Sequence, residues 1–243
     1  MSRPEDTILP EYHLLGLYRF HAPFPPDVVV RTLTIIARRL PAFFPGQLPV
    51  TPARSIPISS PADFHPSLVP GAFTITPGTS VLIPIIGNDG TELDITDDRM
   101  PDAAPASILL KFTRTLPSPA CLEGLLGDLI EMSQPDNARL TDSETPHGDE
   151  VRGRRFEVDT SRVPAMFYWM TWLNPPLLEA AGPEALARLE SLAHVHRVAG
   201  GALVRLQDEP TRGDDPEWSR RRQSAEDAFG LAALHRRFPR PDP

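Results

Sequence analysis

The chain is short of several things that would direct a reading of it. It has one cysteine, Cys121, among 243 residues, which excludes an intrachain disulfide and a cysteine-built zinc site and fits a reducing compartment. Among its 24 basic residues only Lys111 is a lysine. Its apolar runs, Val28 to Val30 and Val81 to Ile86, fall far short of the roughly 18 to 20 residues that span a membrane. Met1 to Pro10 mixes charges with two prolines and has no apolar stretch of the signal-peptide kind, so a cytoplasmic protein is expected. The P-loop, dinucleotide, HExxH, GxSxG and CxxC patterns are all missing, which weakens an enzymatic reading.

What is present is ordinary for a folded chain: 40% hydrophobic and 23% charged residues. A single domain of this length buries roughly 70–75% of its unfolded surface and needs no cross-links. The formal charge of −8 repels phosphate backbones and favours basic partners, so neither nucleic acid nor membrane is expected as a ligand.

Tyr12 to Phe20 reads as a buried strand. Pro25 and Pro26 open a helix with Val29, Leu33, Ile36 and Leu40 on its inner face and Arg31, Thr34, Arg38 and Arg39 toward solvent. Prolines crowd residues 41–80 and predict extended segments and turns. Val81–Ile86 and Thr91–Thr96 flank Gly87-Asn88-Asp89-Gly90 as a hairpin, and Ser107–Arg114 is a further strand. Ser118 and Pro119 start a helix with Leu122, Leu125, Leu126, Leu129 and Ile130 as its stripe. Residues 142–155 are polar and turn-rich, the best place for a boundary between two lobes. Phe156–Val158 and Ala165–Leu173 read as strands. Pro175-Pro176 and Pro183 start two short helices separated by Gly182, and the second runs to about Ala193. Val195–Val198 and Ala202–Leu206 form a hairpin through Gly200-Gly201, Pro216–Leu234 is a last helix, and residues 1–10 and 236–243 are irregular tails. Without βαβ alternation, the expected fold is α+β: a mainly antiparallel sheet with a few helices in one domain, compatible with two similar strand-helix halves.

Four groups of side chains carry a chemical alternative beside a plainer one. His194 and His196 share one side of a strand and could hold a metal, or be exposed strand residues. Cys121, in the first turn of a helix, could be an activated thiol, or a small buried apolar residue. Trp169 and Trp172 suit an interface or a core. Asp94, Asp97, Asp98 and Asp102, with Asp89 and Glu92, form either a solvated hairpin edge or an acidic contact for a basic partner. Asp208, Glu209, Asp214, Asp215 and Glu217 repeat the pattern. No metal, cofactor or catalytic residue is assigned.

From Phe156 onward the order of elements resembles bacterial immunity proteins that neutralise polymorphic and type VI secretion toxins, nearest the immunity-52 family and the related type VI immunity family that accompanies nuclease toxins. Trp172-Leu173-Asn174-Pro175 with Leu177-Leu178, the hairpin Val195–Leu206, Asp215-Pro216-Glu217 and the closing helix Ala225–Leu231 carry the resemblance. Leu125–Ala138 and Tyr12–Leu40 extend it upstream, so that about half the chain takes part, while the proline-rich middle departs from it. The resemblance implies a cytoplasmic antidote without catalytic residues that binds a cognate toxin stoichiometrically; a homodimer is compatible. An enzyme with an unlisted site and a structural or assembly subunit are the alternatives.

Overall fold

Strand β1 (His13–Arg19) shows why the chain builds a sheet with two unlike faces: Leu15 and Leu17 are fully buried, whereas Leu14 and Tyr18, pointing the other way, are half-buried. A computed structural model describes residues 12–21, 24, 27–44, 47–51, 54–57, 85–96, 106–113, 116–142, 158–210 and 215–239. After β1 come helix α1 (Val28–Arg39), a 3-10 turn at Pro41–Phe43, β2 (Gln47–Thr51), β3 (Arg54–Pro57), β4 (Ile85–Ile86), β5 (Glu92–Thr96), β6 (Ala106–Phe112), α2 (Pro119–Ser133) and β7 (Asn137–Asp142). The C-terminal half adds β8 (Met170–Leu173), α3 (Pro175–Ala181), α4 (Pro183–Glu190), β9 (His194–Val198), β10 (Gly201–Arg205), α5 (Pro216–Phe229) and α6 (Leu231–Arg237).

Eight strands form one antiparallel sheet in the order β4-β5-β6-β1-β7-β8-β10-β9, with β2 and β3 paired separately. The fold is therefore α+β. The sheet's two parts are unequal, five strands against three, and meet where β7 pairs with β8 through Arg139↔Thr171 and Leu140↔Met170. Helices α1 and α2 cover the face carrying Leu15, Leu17, Ile108, Leu110 and Leu140, joined by Arg38 and Arg39 on Asp128. On the opposite face α3 and α4 cover β8 to β10, where Ala202 and Val204 are fully buried and Arg197 pairs with Glu190.

Several expectations change. The strand expected over Ala165–Leu173 is regular only at Met170–Leu173. Before it, the Phe167 N–H donates to Glu226 Oε1 (2.9 Å) and the Tyr168 N–H to Thr171 Oγ1 (2.8 Å). Side chains thus satisfy buried backbone donors that a ladder would otherwise take. The helix expected to run from Pro216 to Leu234 breaks at Gly230, whose φ of +78° closes α5 with a left-handed cap before α6 begins. The irregular tail begins later than expected, because α6 runs to Arg237 and Pro239 bridges to Val158. The second short helix stops at Glu190, and Arg39 is half-buried rather than solvent-facing. The tail 1–10, Pro25, Pro26, Val81–Pro84, Phe156 and nearly all of the 142–155 connection lie outside the described residues.

Candidate partner-binding surface

The C-terminal rim is built on the β9–β10 hairpin. Ala199 (φ +45°) and Gly200 (φ +76°) both take the left-handed conformation that a two-residue turn needs, which sets His194 opposite Arg205 and His196 opposite Leu203. Arg205, largely buried, donates from Nε to Glu123 Oε1 of α2 at 2.8 Å, and His194 Nδ1 lies 2.9 Å from the same oxygen. Arg205 Nη1 also pairs with Asp208. Burial opposes the charge of this guanidinium, but Glu123 and Asp208 more than offset it and hold Arg205 above the ordinary arginine range. Glu123 thus fastens α2 to the hairpin. His194 is committed to this network, and no three His, Cys, Asp or Glu side chains converge on a metal-sized site among the described residues.

The second acidic group lies just beyond. The Asp208 side chain is 92% exposed even while paired, and Glu209 is exposed. Asp215 caps α5 by accepting the Glu217 N–H at 2.8 Å, and Glu217 pairs with Arg221 at 3.3 Å. Two of these carboxylates are therefore engaged with α5 itself. Asp214 lies outside the described residues.

The first acidic group lies toward the other end of the sheet. Glu92 of β5 pairs with Lys111 of β6 at 3.3 Å, and Lys111 Nζ sits 4.6 Å over the Tyr12 ring. Asp94, on the same face of β5, is half-buried, with an Oδ1 that meets no donor among the described residues. Burial pushes its carboxyl above the usual range, Glu92 adds to the rise and Lys111 opposes it. Asp97, Asp98 and Asp102 lie outside the described residues. Five strand-to-strand steps separate β5 from β10, about 24 Å at ordinary strand spacing, so Glu92 and Asp94 belong to a different part of the sheet from the β10 end that leads to Asp208.

Cys121 donates from Sγ to the Arg39 carbonyl at 3.2 Å. Burial pushes its thiol up while Arg39 opposes, so it joins α2 to α1 as a protonated thiol. Trp169 and Trp172 are both buried at 4% exposure. His13, Thr141, Asp142, Tyr168, Trp169, Pro210 and Trp218 surround a cavity of about 10 Å³, room for one water and for no substrate. Burial holds the His13 imidazole below its ordinary range, against the pull of Asp142.

One arrangement had no signal in the sequence. Arg139 lies over Tyr18 (5.1 Å) and Tyr168 (4.8 Å), and its Nη1 donates to Tyr168 Oη at 2.8 Å. Residues 18, 139 and 168 are far apart in the chain, and β7 carries no strong strand pattern, so only the sheet brings them together.

No family model matches the sequence, and no curated protein matches it. Among solved structures the chain is similar to the Pseudomonas aeruginosa T6SS protein PA0821, with a TM-score of 0.56 and 16% identity over 90% of this chain and 72% of that one. At that identity the two share a fold. No helix among the described residues is long and apolar enough to cross a membrane.

Proposed function

We propose that this chain is an immunity protein of a type VI secretion or related polymorphic-toxin system, which binds a cognate toxin one-to-one and blocks it without catalysing a reaction. The observation that carries the reading is the fold shared over nine-tenths of the chain with a T6SS protein. The resemblance of Trp172–Pro175, the β9–β10 hairpin and the start of α5 to immunity proteins adds to it. Asp208 and Glu209, exposed beside the hairpin, would steer a basic toxin.

The test is to read the adjoining genes for a toxin and to co-express it with this chain; the reading fails if none adjoins. Growth should be rescued, and a stoichiometric complex should survive gel filtration. Asp208→Asn with Glu209→Gln should slow association several-fold at low salt and much less at high salt, leaving dissociation nearly unchanged. The reading fails if the toxin kills equally well with this protein in excess.

A further inference from the structure

The turn that joins α4 to β9 holds an aliphatic side chain out of the core. Leu192 is 51% exposed, yet its backbone is fixed, its N–H donating to the Leu189 carbonyl at 2.9 Å. It does not stand alone. With Leu206, Glu217, Arg220, Arg221 and Ser224 it lines an open groove of about 530 Å³ between the turn and α5. That is room for several side chains and about the size of many ligand clefts. Helix α5 buries Trp218, Ala225, Glu226 and Phe229, and this fixes Arg220, Arg221 and Ser224 on its outer side.

The charges in the groove run against those of the molecule. The chain carries −8, while the groove presents two guanidiniums against one carboxylate. Glu217 is taken by Arg221 at 3.3 Å. The Nε of Arg220 donates to the Pro216 carbonyl at 3.3 Å, and its guanidinium meets no carboxylate among the described residues. An exposed leucine beside an arginine that meets no carboxylate among the described residues suits a ligand with an aliphatic side chain and carboxylates on one face.

We propose that this groove docks an acidic, aliphatic segment of the partner protein, the aliphatic residue resting on Leu192 and its carboxylates reaching Arg220 and Arg221. The inference rests on the toxin-binding reading and supplies its contact. Asp208 and Glu209 follow Leu206, which lines the groove, by two and three residues and are exposed, so a partner seated here would meet carboxylates as well as the guanidiniums of Arg220 and Arg221.

The experiment uses the full chain and the toxin identified by the co-expression test, carrying an inactivating substitution, with affinity measured for wild type, Leu192→Asp and the double variant Arg220→Glu, Arg221→Glu. Each groove variant should bind about tenfold more weakly or worse, with little change in melting temperature, because the substituted side chains are exposed and the Glu217–Arg221 pair that is lost is a surface one. Reversal at Arg31, exposed on the outer side of α1, should leave affinity at the wild-type value. Amide exchange on the wild-type complex needs no variant and should show protection at 190–194 and 216–224. If wild type binds and protects while both groove variants bind as tightly and these amides stay unprotected, the groove assignment is overturned and the toxin-binding reading stands. If wild type itself does not bind, both are overturned.

Discussion

At the scale of single residues, the two neighbouring tryptophans are equally buried and unequally satisfied. Trp169 Nε1 donates to the Gln207 carbonyl at 2.8 Å, whereas Trp172 Nε1 is buried with no acceptor among the described residues. An unpaired buried donor costs about 1–3 kcal/mol, and a satisfied one is a loss when removed. Trp172→Phe should therefore destabilise by less than about 1.5 kcal/mol, and Trp169→Phe by about 1 kcal/mol more. Trp172→Ala, which removes the whole ring from the core, should cost about 3–5 kcal/mol. Chemical denaturation of the three variants checks the order, and equal costs for the two phenylalanine variants would contradict the hydrogen-bond assignment. That Trp169 and Trp172 are core was legible in an aromatic-rich stretch, but which ring finds an acceptor depends on a loop 38 residues away, and no local pattern encodes that. The same holds for Cys121 and His194, whose partners Arg39 and Glu123 come from other elements.

At the scale of elements, helix starts were legible where one residue's chemistry decides them, whereas the stop at Gly230, inside an expected single helix, was not. Ser118 accepts the Cys121 N–H and Pro119 takes the first helical position of α2; Asn174 and Pro175 do the same for α3. Strand β7 was missed because Asn137–Asp142 mixes polar and apolar residues and is buried on both sides; its burial comes from its central place in the sheet and not from its own composition. How elements join was less legible still, and Asp128 is the clearest instance. A single oxygen, Oδ2, takes both Arg38 Nη2 and Arg39 Nε at 2.6 Å, fastening the C-terminal end of α1 to α2. The bond from Arg39 holds the Asp128 carboxyl below the ordinary range against the opposing effect of burial, and Arg38 adds to it. A carboxylate lowered in the folded state adds stability above its unfolded value, near 3.9, and loses it as pH falls through the folded value. Asp128→Asn should thus cost about 1 kcal/mol at pH 7. Its melting curve should approach that of wild type as the pH is taken from about 5 to below 3. A gap that persists unchanged at acid pH would mean that packing, and not charge, makes the joint.

At the scale of the whole molecule, the question is whether five strands and three strands make one cooperative body. The expected lobe boundary falls between β7 and β8, and there the sheet does not stop: Arg139↔Thr171 and Leu140↔Met170 carry it across. The buried apolar residues on the two sides form one connected cluster, from Leu15 and Ile108 through Leu140 and Met170 to Leu203 and Phe229. All three tryptophans, Trp169, Trp172 and Trp218, lie beyond the boundary, so tryptophan fluorescence reports chiefly on the C-terminal side. Leu15, fully buried in β1, lies on the other side. Leu15→Ala removes apolar volume that the sheet cannot fully close over, at a cost of about 2–5 kcal/mol. For a domain of this length each kcal/mol lowers the melting temperature by about 2–4 °C. If the sheet and core unfold as one, the tryptophan signal of Leu15→Ala should move down by the same amount as the far-ultraviolet circular dichroism, and the two melts should coincide. Two separate lobes would leave the tryptophan melt at its wild-type temperature while circular dichroism split into two steps, and that outcome would divide the protein at the β7–β8 seam.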